Sequence, residues 1–132
     1  MSDIHEFLID GDTYTTDGPH YSSAKSTRDL VSSSISFYLF VNTLSGASGD
    51  TMDILIQESD DEEFATAHKI RTIGSFTQVL GDSSSAALLQ QKMNPTDNSL
   101  NRWVRSKVTF SASDATVFST KFAVLMTADE KV

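Results

Sequence analysis

Residues 51–64 read TMDILIQESDDEEF. Met52, Ile54 and Ile56 recur at every second position, while Thr51, Asp53 and Gln57 fill the alternate places; only Leu55 breaks the pattern. Period-two alternation marks a strand with one buried face, because successive side chains of an extended chain point to opposite sides. The strand runs into an acidic block, Glu58, Asp60, Asp61, Glu62 and Glu63, and the block ends at one apolar anchor, Phe64. Ser and Asp at 59–61 are turn formers.

Other segments repeat the pattern. Residues 35–41, ISFYLFV, form the most hydrophobic run. Ile35, Phe37, Leu39 and Val41 share one face; Tyr38 and Phe40 lie on the other. A strand apolar on both faces is central in a sandwich or half-covered by another subunit. In residues 102–110, RWVRSKVTF, Val104, Val108 and Phe110 alternate with Arg105, Lys107 and Thr109. Residues 117–126 place Phe118, Phe122, Val124 and Met126 on one face. Weaker strands are expected around Ile70–Ile73 and Phe76–Leu80, broken at Gly74. Residues 84–93 read as either helix or strand. Residues 94–98, NPTDN, form a turn, and residues 42–50, NTLSGASGD, a second one. Ser and Thr make up about a quarter of the chain, which suits strands and turns rather than helices. Seven or eight strands with regularly spaced turns predict an all-β fold, an antiparallel β-sandwich of the jelly-roll kind.

Two regions follow from the punctuation. Residues 2–9 read as a short strand with Ile4, Phe7 and Ile9 as apolar contacts. Residues 10–34 are polar and rich in turn formers, among them Asp10-Gly11 and Asp17-Gly18-Pro19. Residues 1–25 are expected to be an extended N-terminal arm, ordered against a neighbour or folded as an edge hairpin on the same subunit. Residues 26–132 are expected to form the sandwich domain.

The bulk composition excludes several classes. A chain of 132 residues suits one domain large enough to bury a core. It has no cysteine, so disulfides and thiolate metal sites are absent. No apolar stretch approaches the roughly 20 residues that span a bilayer. The acidic N-terminus is unlike a secretory or transit signal, and the protein is expected to be made in a cytosol and to remain soluble. A net charge of −8 argues against nucleic acid and anionic membranes, since both need a basic footprint. The charge is uneven: residues 1–63 hold thirteen acids and two bases, whereas residues 64–132 hold five acids and eight bases. Strand pairing within the fold, or head-to-tail contact between subunits, would neutralise it.

No catalytic constellation emerges. His5, His20 and His68 are scattered, with no metal-ligand spacing. There is no nucleophile elbow and no phosphate-cradling glycine loop. The acidic block reads as a solvated hairpin tip; the alternative is a calcium site, although the EF-hand spacing is missing. Trp103, the single tryptophan, falls on the outward face with Arg105, which suits an interface hot spot or a sugar-stacking platform.

Four segments together resemble the podophage cement proteins, which decorate tailed-bacteriophage capsids. Residues 26–30, STRDL, are similar to a short motif of that family. Residues 51–64 look like its strand and acidic hairpin. Residues 101–105, NRWVR, resemble a family strand with Trp in place of Tyr, and residues 122–125, FAVL, its closing strand. The resemblance covers roughly residues 26–126. It implies a non-enzymatic jelly roll without cofactor that forms a homodimer or homotrimer, sits on the capsid exterior after assembly in the host cytoplasm, and clamps neighbouring major capsid proteins. The first 25 residues are longer than in that family, which shifts attachment toward the arm. Tyr14, Tyr21, Tyr38, Trp103 and Arg105 are the expected interface residues. Two other expectations remain open: a carbohydrate- or receptor-binding jelly roll that uses Trp103 and a calcium-loaded acidic loop, and a tail-tube or head-completion sandwich that forms a ring.

Overall fold

The computed structural model describes residues 3–15, 18–47, 49–95, 102–111 and 119–131. Among them ten strands run in chain order: β1 (Asp3–Thr15), β2 (Gly18–Tyr21), β3 (Lys25–Ser26), β4 (Ser36–Ser45), β5 (Thr51–Ser59), β6 (Ile70–Ser75), β7 (Val79–Leu80), β8 (Gln90–Met93), β9 (Trp103–Ser111) and β10 (Ser119–Asp129). One sheet has four strands in the order β1-β10-β4-β8. The other has six, ordered β2-β9-β5-β6, with β3 also on β9 and β7 also on β5. All pairings are antiparallel.

The pairing is nested. The first strand pairs with the last, β2 and β3 with β9, β4 with β8, and β5 with β6 and β7. A long hairpin rolled up in this way yields two facing sheets, which is the jelly-roll arrangement. The sandwich expected from the alternation is the observed fold.

The core lies between the sheets. Phe37, Leu39, Phe122, Val124 and Met126 line the four-stranded side; Met52, Ile54, Ile56, Val104, Val108 and Ile73 line the other, and all are buried. Burying each such side chain contributes about 1.5–3 kcal/mol from the apolar area withdrawn from water. The alternating residues of β4, β5, β9 and β10 therefore face inward as expected. Phe118 and residues 96–98 of the expected turn lie outside the described residues.

The N-terminal segment is extended, but as a strand of the sandwich itself. β1 pairs with β10 from Asp3↔Asp129 to Thr15↔Ser119, and β2 pairs with β9. Leu8 and Ile9 of β1 enter the common core. The polar, punctuated sequence reflects register shifts between Phe7 and Ile9 and again between Ile9 and Asp12. Gly11, at φ 67, takes the left-handed conformation the second irregularity requires. The first shift also corrects the expected contacts. Phe7 pairs with Leu125 on the outer face and is 43% exposed, whereas Leu8 and Ile9 are both buried. A bulge inserts one residue and so reverses the alternation.

The ambiguous segment 84–93 holds both elements. One helical turn, α1 (Ala86–Leu89), passes directly into β8. A run this short cannot offset the cost of helix nucleation alone, and it rests on the half-buried Leu88 and Leu89. Near the opposite end, Val31 N–H donates to Asp129 O at 2.8 Å and Lys131 N–H to Asp29 O at 2.7 Å. These bonds tie residues 29–31 to the end of β10.

Candidate functional site

Two surfaces stand out, one on the outer face of each sheet. On the four-stranded sheet, the backbone register places Phe7, Leu125, Tyr38 and Lys92 in one row across β1, β10, β4 and β8. The next outward row holds Ala123, Phe40 and Gln90. Tyr38 and Phe40 stack with centroids 6.2 Å apart and planes 9° from parallel. The Lys92 ammonium lies 5.8 Å from the Tyr38 centroid. Phe7 and Phe40 are 43% and 37% exposed. A shallow cavity of about 410 Å³ opens beside them, lined in part by His5, Tyr38, Phe40, Leu125 and Thr127. β4 is thus apolar on both faces because one meets the core and the other forms part of this exposed patch.

On the six-stranded sheet, Tyr21, Arg105 and Phe64 form a stack. The Arg105 guanidinium carbon lies 4.0 Å from the Tyr21 centroid and 4.2 Å from the Phe64 centroid. Its Nε donates to Gln57 Oε1 at 2.9 Å. Gln57 and Arg105 are register partners on β5 and β9, so the backbone presets this bond. A cation between two ring faces is attracted to both quadrupoles. Burial pulls the Arg105 pKa down from its ordinary value, and the field of Tyr21 opposes that shift.

The loop after β5 supplies Phe64. Asp61 organises it: Asp61 N–H donates to Ser59 Oγ at 3.1 Å, and the Asp61 carboxylate accepts from Ala65 N–H at 2.9 Å and from Glu63 N–H at 3.4 Å. Phe64 adopts φ 52, unusual for an aromatic residue. Its side chain is 5% exposed, and the contact with Arg105 helps to hold the loop in place. His68 Nδ1 lies 3.1 Å from Asp60 Oδ1.

The acidic block is therefore not one solvated tip. Glu58 continues the alternation of Met52, Ile54 and Ile56 onto the core face, where it is fully buried and bonded to Arg71. Asp60 and Asp61 serve the loop, whereas Glu62 and Glu63 are exposed. Among the described residues, no three His, Asp or Glu side chains converge as metal ligands.

The expected interface residues divide between the two surfaces. Tyr21 and Arg105 touch each other, and Trp103 is half-buried two positions along the same outward face of β9. Tyr38 lies on the other sheet. Tyr14 sits in β1 opposite Thr120, and its side chain lies outside the described part of the structure. Sequence reasoning missed Leu125 as part of the outer patch and Phe64 as the partner of Arg105. The first was readable from the alternation of β10; the second arises from a loop folding back over a sheet.

The nested strand order makes this a jelly-roll β-sandwich. The chain is similar to the structure of infectious bursal disease virus Gx strain, with TM-score 0.59 and 11% identity, over 98% of this chain and 32% of that one. It is also similar to the crystal structure of the infectious bursal disease virus VP2 subviral particle, with TM-score 0.58 and 14% identity, over 98% of this chain and 33% of that one. The chain thus spans about a third of the length of these viral chains. No protein-family model matches the sequence, and no curated protein matches it. At such identities the likeness is one of fold.

Proposed function

We propose that the protein is a structural component of a virus particle. In the finer form of this reading, it binds the outside of a tailed-bacteriophage capsid and joins neighbouring major capsid proteins. It acts without catalysis and without cofactor, binding protein rather than nucleic acid or membrane. Its place is the virion exterior, reached by assembly in the host cytoplasm.

The observation that carries the reading is the aromatic row on the outer face of the four-stranded sheet. The rings of Phe7, Tyr38 and Phe40 and the aliphatic side chain of Leu125 stand where an isolated sandwich would place polar side chains. Exposed patches of this kind mark contact surfaces, and aromatic anchors carry much of the binding energy of interfaces. The likeness of the fold to viral capsid chains supports the reading, as do the four segments that resemble cement proteins. Covering this face with a capsid subunit would bridge capsomers and raise the barrier to rupture of the shell.

The test is co-sedimentation with expanded, undecorated phage capsids. The protein should pellet at a saturating stoichiometry. Phe7→Ser and Tyr38→Ala should weaken the binding about tenfold or more while leaving the melting curve nearly unchanged. A protein that stays in the supernatant with every capsid tried would sink the cement reading.

A further inference from the structure

We propose that a second copy of this chain docks on the Arg105 end of the six-stranded sheet across a two-fold axis, so that Glu62 and Glu63 of each copy pair with Arg105 of the other. This surface is separate from the aromatic row assigned to the capsid.

Arg105 is prepared for such a contact. Tyr21 covers one side of its guanidinium at 4.0 Å, Phe64 covers another at 4.2 Å, and Gln57 accepts from Nε at 2.9 Å. Its terminal nitrogens have no hydrogen-bond or ion-pair partner among the described residues. A guanidinium held by rings and by one edge has already lost most of its rotamer freedom. A carboxylate that meets its remaining edge gains two charge-assisted bonds at little further entropic cost.

The carboxylates that would complete it lie nearby but are not used within the chain. Glu62 and Glu63 are exposed and share a cavity of about 330 Å³ with Arg105, Phe64, Ser22, Ser23 and Ala24. Neither forms an ion pair among the described residues. The loop that carries them is held by the bonds to Asp61 and by buried Phe64.

A patch with an unpaired cation beside unpaired anions selects its occupant. A wholly acidic partner would be repelled by the two glutamates, and a wholly basic one by Arg105. A two-fold axis solves the problem, because contact i-to-j is repeated as j-to-i and each copy offers the other both signs. Tyr21, 47% exposed, and half-buried Trp103 would supply the ring area around the charged pairs.

Sedimentation of the full chain over a concentration series tests this, with a charge swap as the control. Wild type should form a dimer that weakens as salt is raised. Arg105→Glu makes the patch wholly acidic; the double variant Glu62→Arg/Glu63→Arg makes it wholly basic. Each alone should weaken self-association about tenfold or more. An equimolar mixture of the two should form a heterodimer. The glutamates are exposed, so the double variant should melt like wild type and remains informative even if Arg105→Glu fails to fold. A wild type that is monomeric throughout, or a dimer unaffected by the glutamate reversals, overturns the proposal. Capsid co-sedimentation is read separately, so failure of one reading does not mimic failure of the other.

Discussion

Glu58, fully buried on the core face of β5, lies opposite Arg71 of β6 and accepts a hydrogen bond from Arg71 Nε at 2.6 Å. Arg71 Nη2 closes on the same Glu58 oxygen. The Arg71 side chain is 34% exposed, so the cation bridges core and solvent while the carboxylate stays dry. Removing Arg71 should leave Glu58 buried without this cation. Arg71→Met is expected to destabilise the fold by about 3 kcal/mol, at the lower end of the range for broken buried pairs because Arg71 is partly solvated. The double variant Glu58→Gln/Arg71→Met should cost less than Arg71→Met alone. Urea midpoints of the three proteins check both statements.

Gly81 and Gly74 differ in what surrounds them. A Cβ at Gly81 would lie 2.7 Å from the Ala47 carbonyl oxygen and 2.8 Å from Asp50 Cβ. A Cβ at Gly74 would instead meet the Met93 side chain, at 2.5 Å from its sulfur. Backbone cannot yield as a flexible thioether can. Gly81→Ala is expected to cost about 3 kcal/mol and Gly74→Ala about 1 kcal/mol. Reversal of that order in thermal melts would contradict the packing described.

Ser106 faces the core from β9, and its Oγ has no hydrogen-bond partner among the described residues. A buried hydroxyl without a partner carries a desolvation penalty. Ser106→Ala should therefore stabilise the protein by about 1 kcal/mol. A loss of stability on chemical denaturation would show that the hydroxyl is satisfied after all.

The Asp61 carboxyl is held below its ordinary value of 3.8, chiefly by the hydrogen bond from Ala65 N–H. Desolvation opposes the shift, while Glu63 N–H and the charge on His68 add to it. A depressed folded pKa means the contribution is complete above the unfolded value and is lost as pH falls through the folded one. The loop at 60–68 should thus loosen only in strong acid, and Asp61→Asn should remove that transition. Amide exchange of Glu63 and Ala65 against pH reads it directly.

Much of the sandwich is legible in the sequence because strand periodicity is local. Val104, Val108 and Phe110 face the core as their spacing requires, as do Met52, Ile54 and Ile56. The same rule, carried one step further, would have taken Glu58 out of the acidic block and into the interior. It fails at Phe7, because a bulge exchanges the faces and nothing in residues 3–9 marks where the extra residue falls. It also leaves open whether residues 3–15 and 18–21 form an arm or strands of the same subunit, since their polar composition fits either; the structure pairs them with β10 and β9.

Alternation, turn chemistry and the shortage of helical spacing were enough to determine an antiparallel sandwich and most of its inward-facing residues, since each depends on neighbours within a few positions. Tertiary structure alone decided which strands pair, that Phe64 folds back beneath Arg105, and that Phe7, Leu125 and Tyr38 align in one row. Those relations join residues far apart in the chain. They are set by the register of whole strands and the closure of a shared core, which no local window of sequence contains.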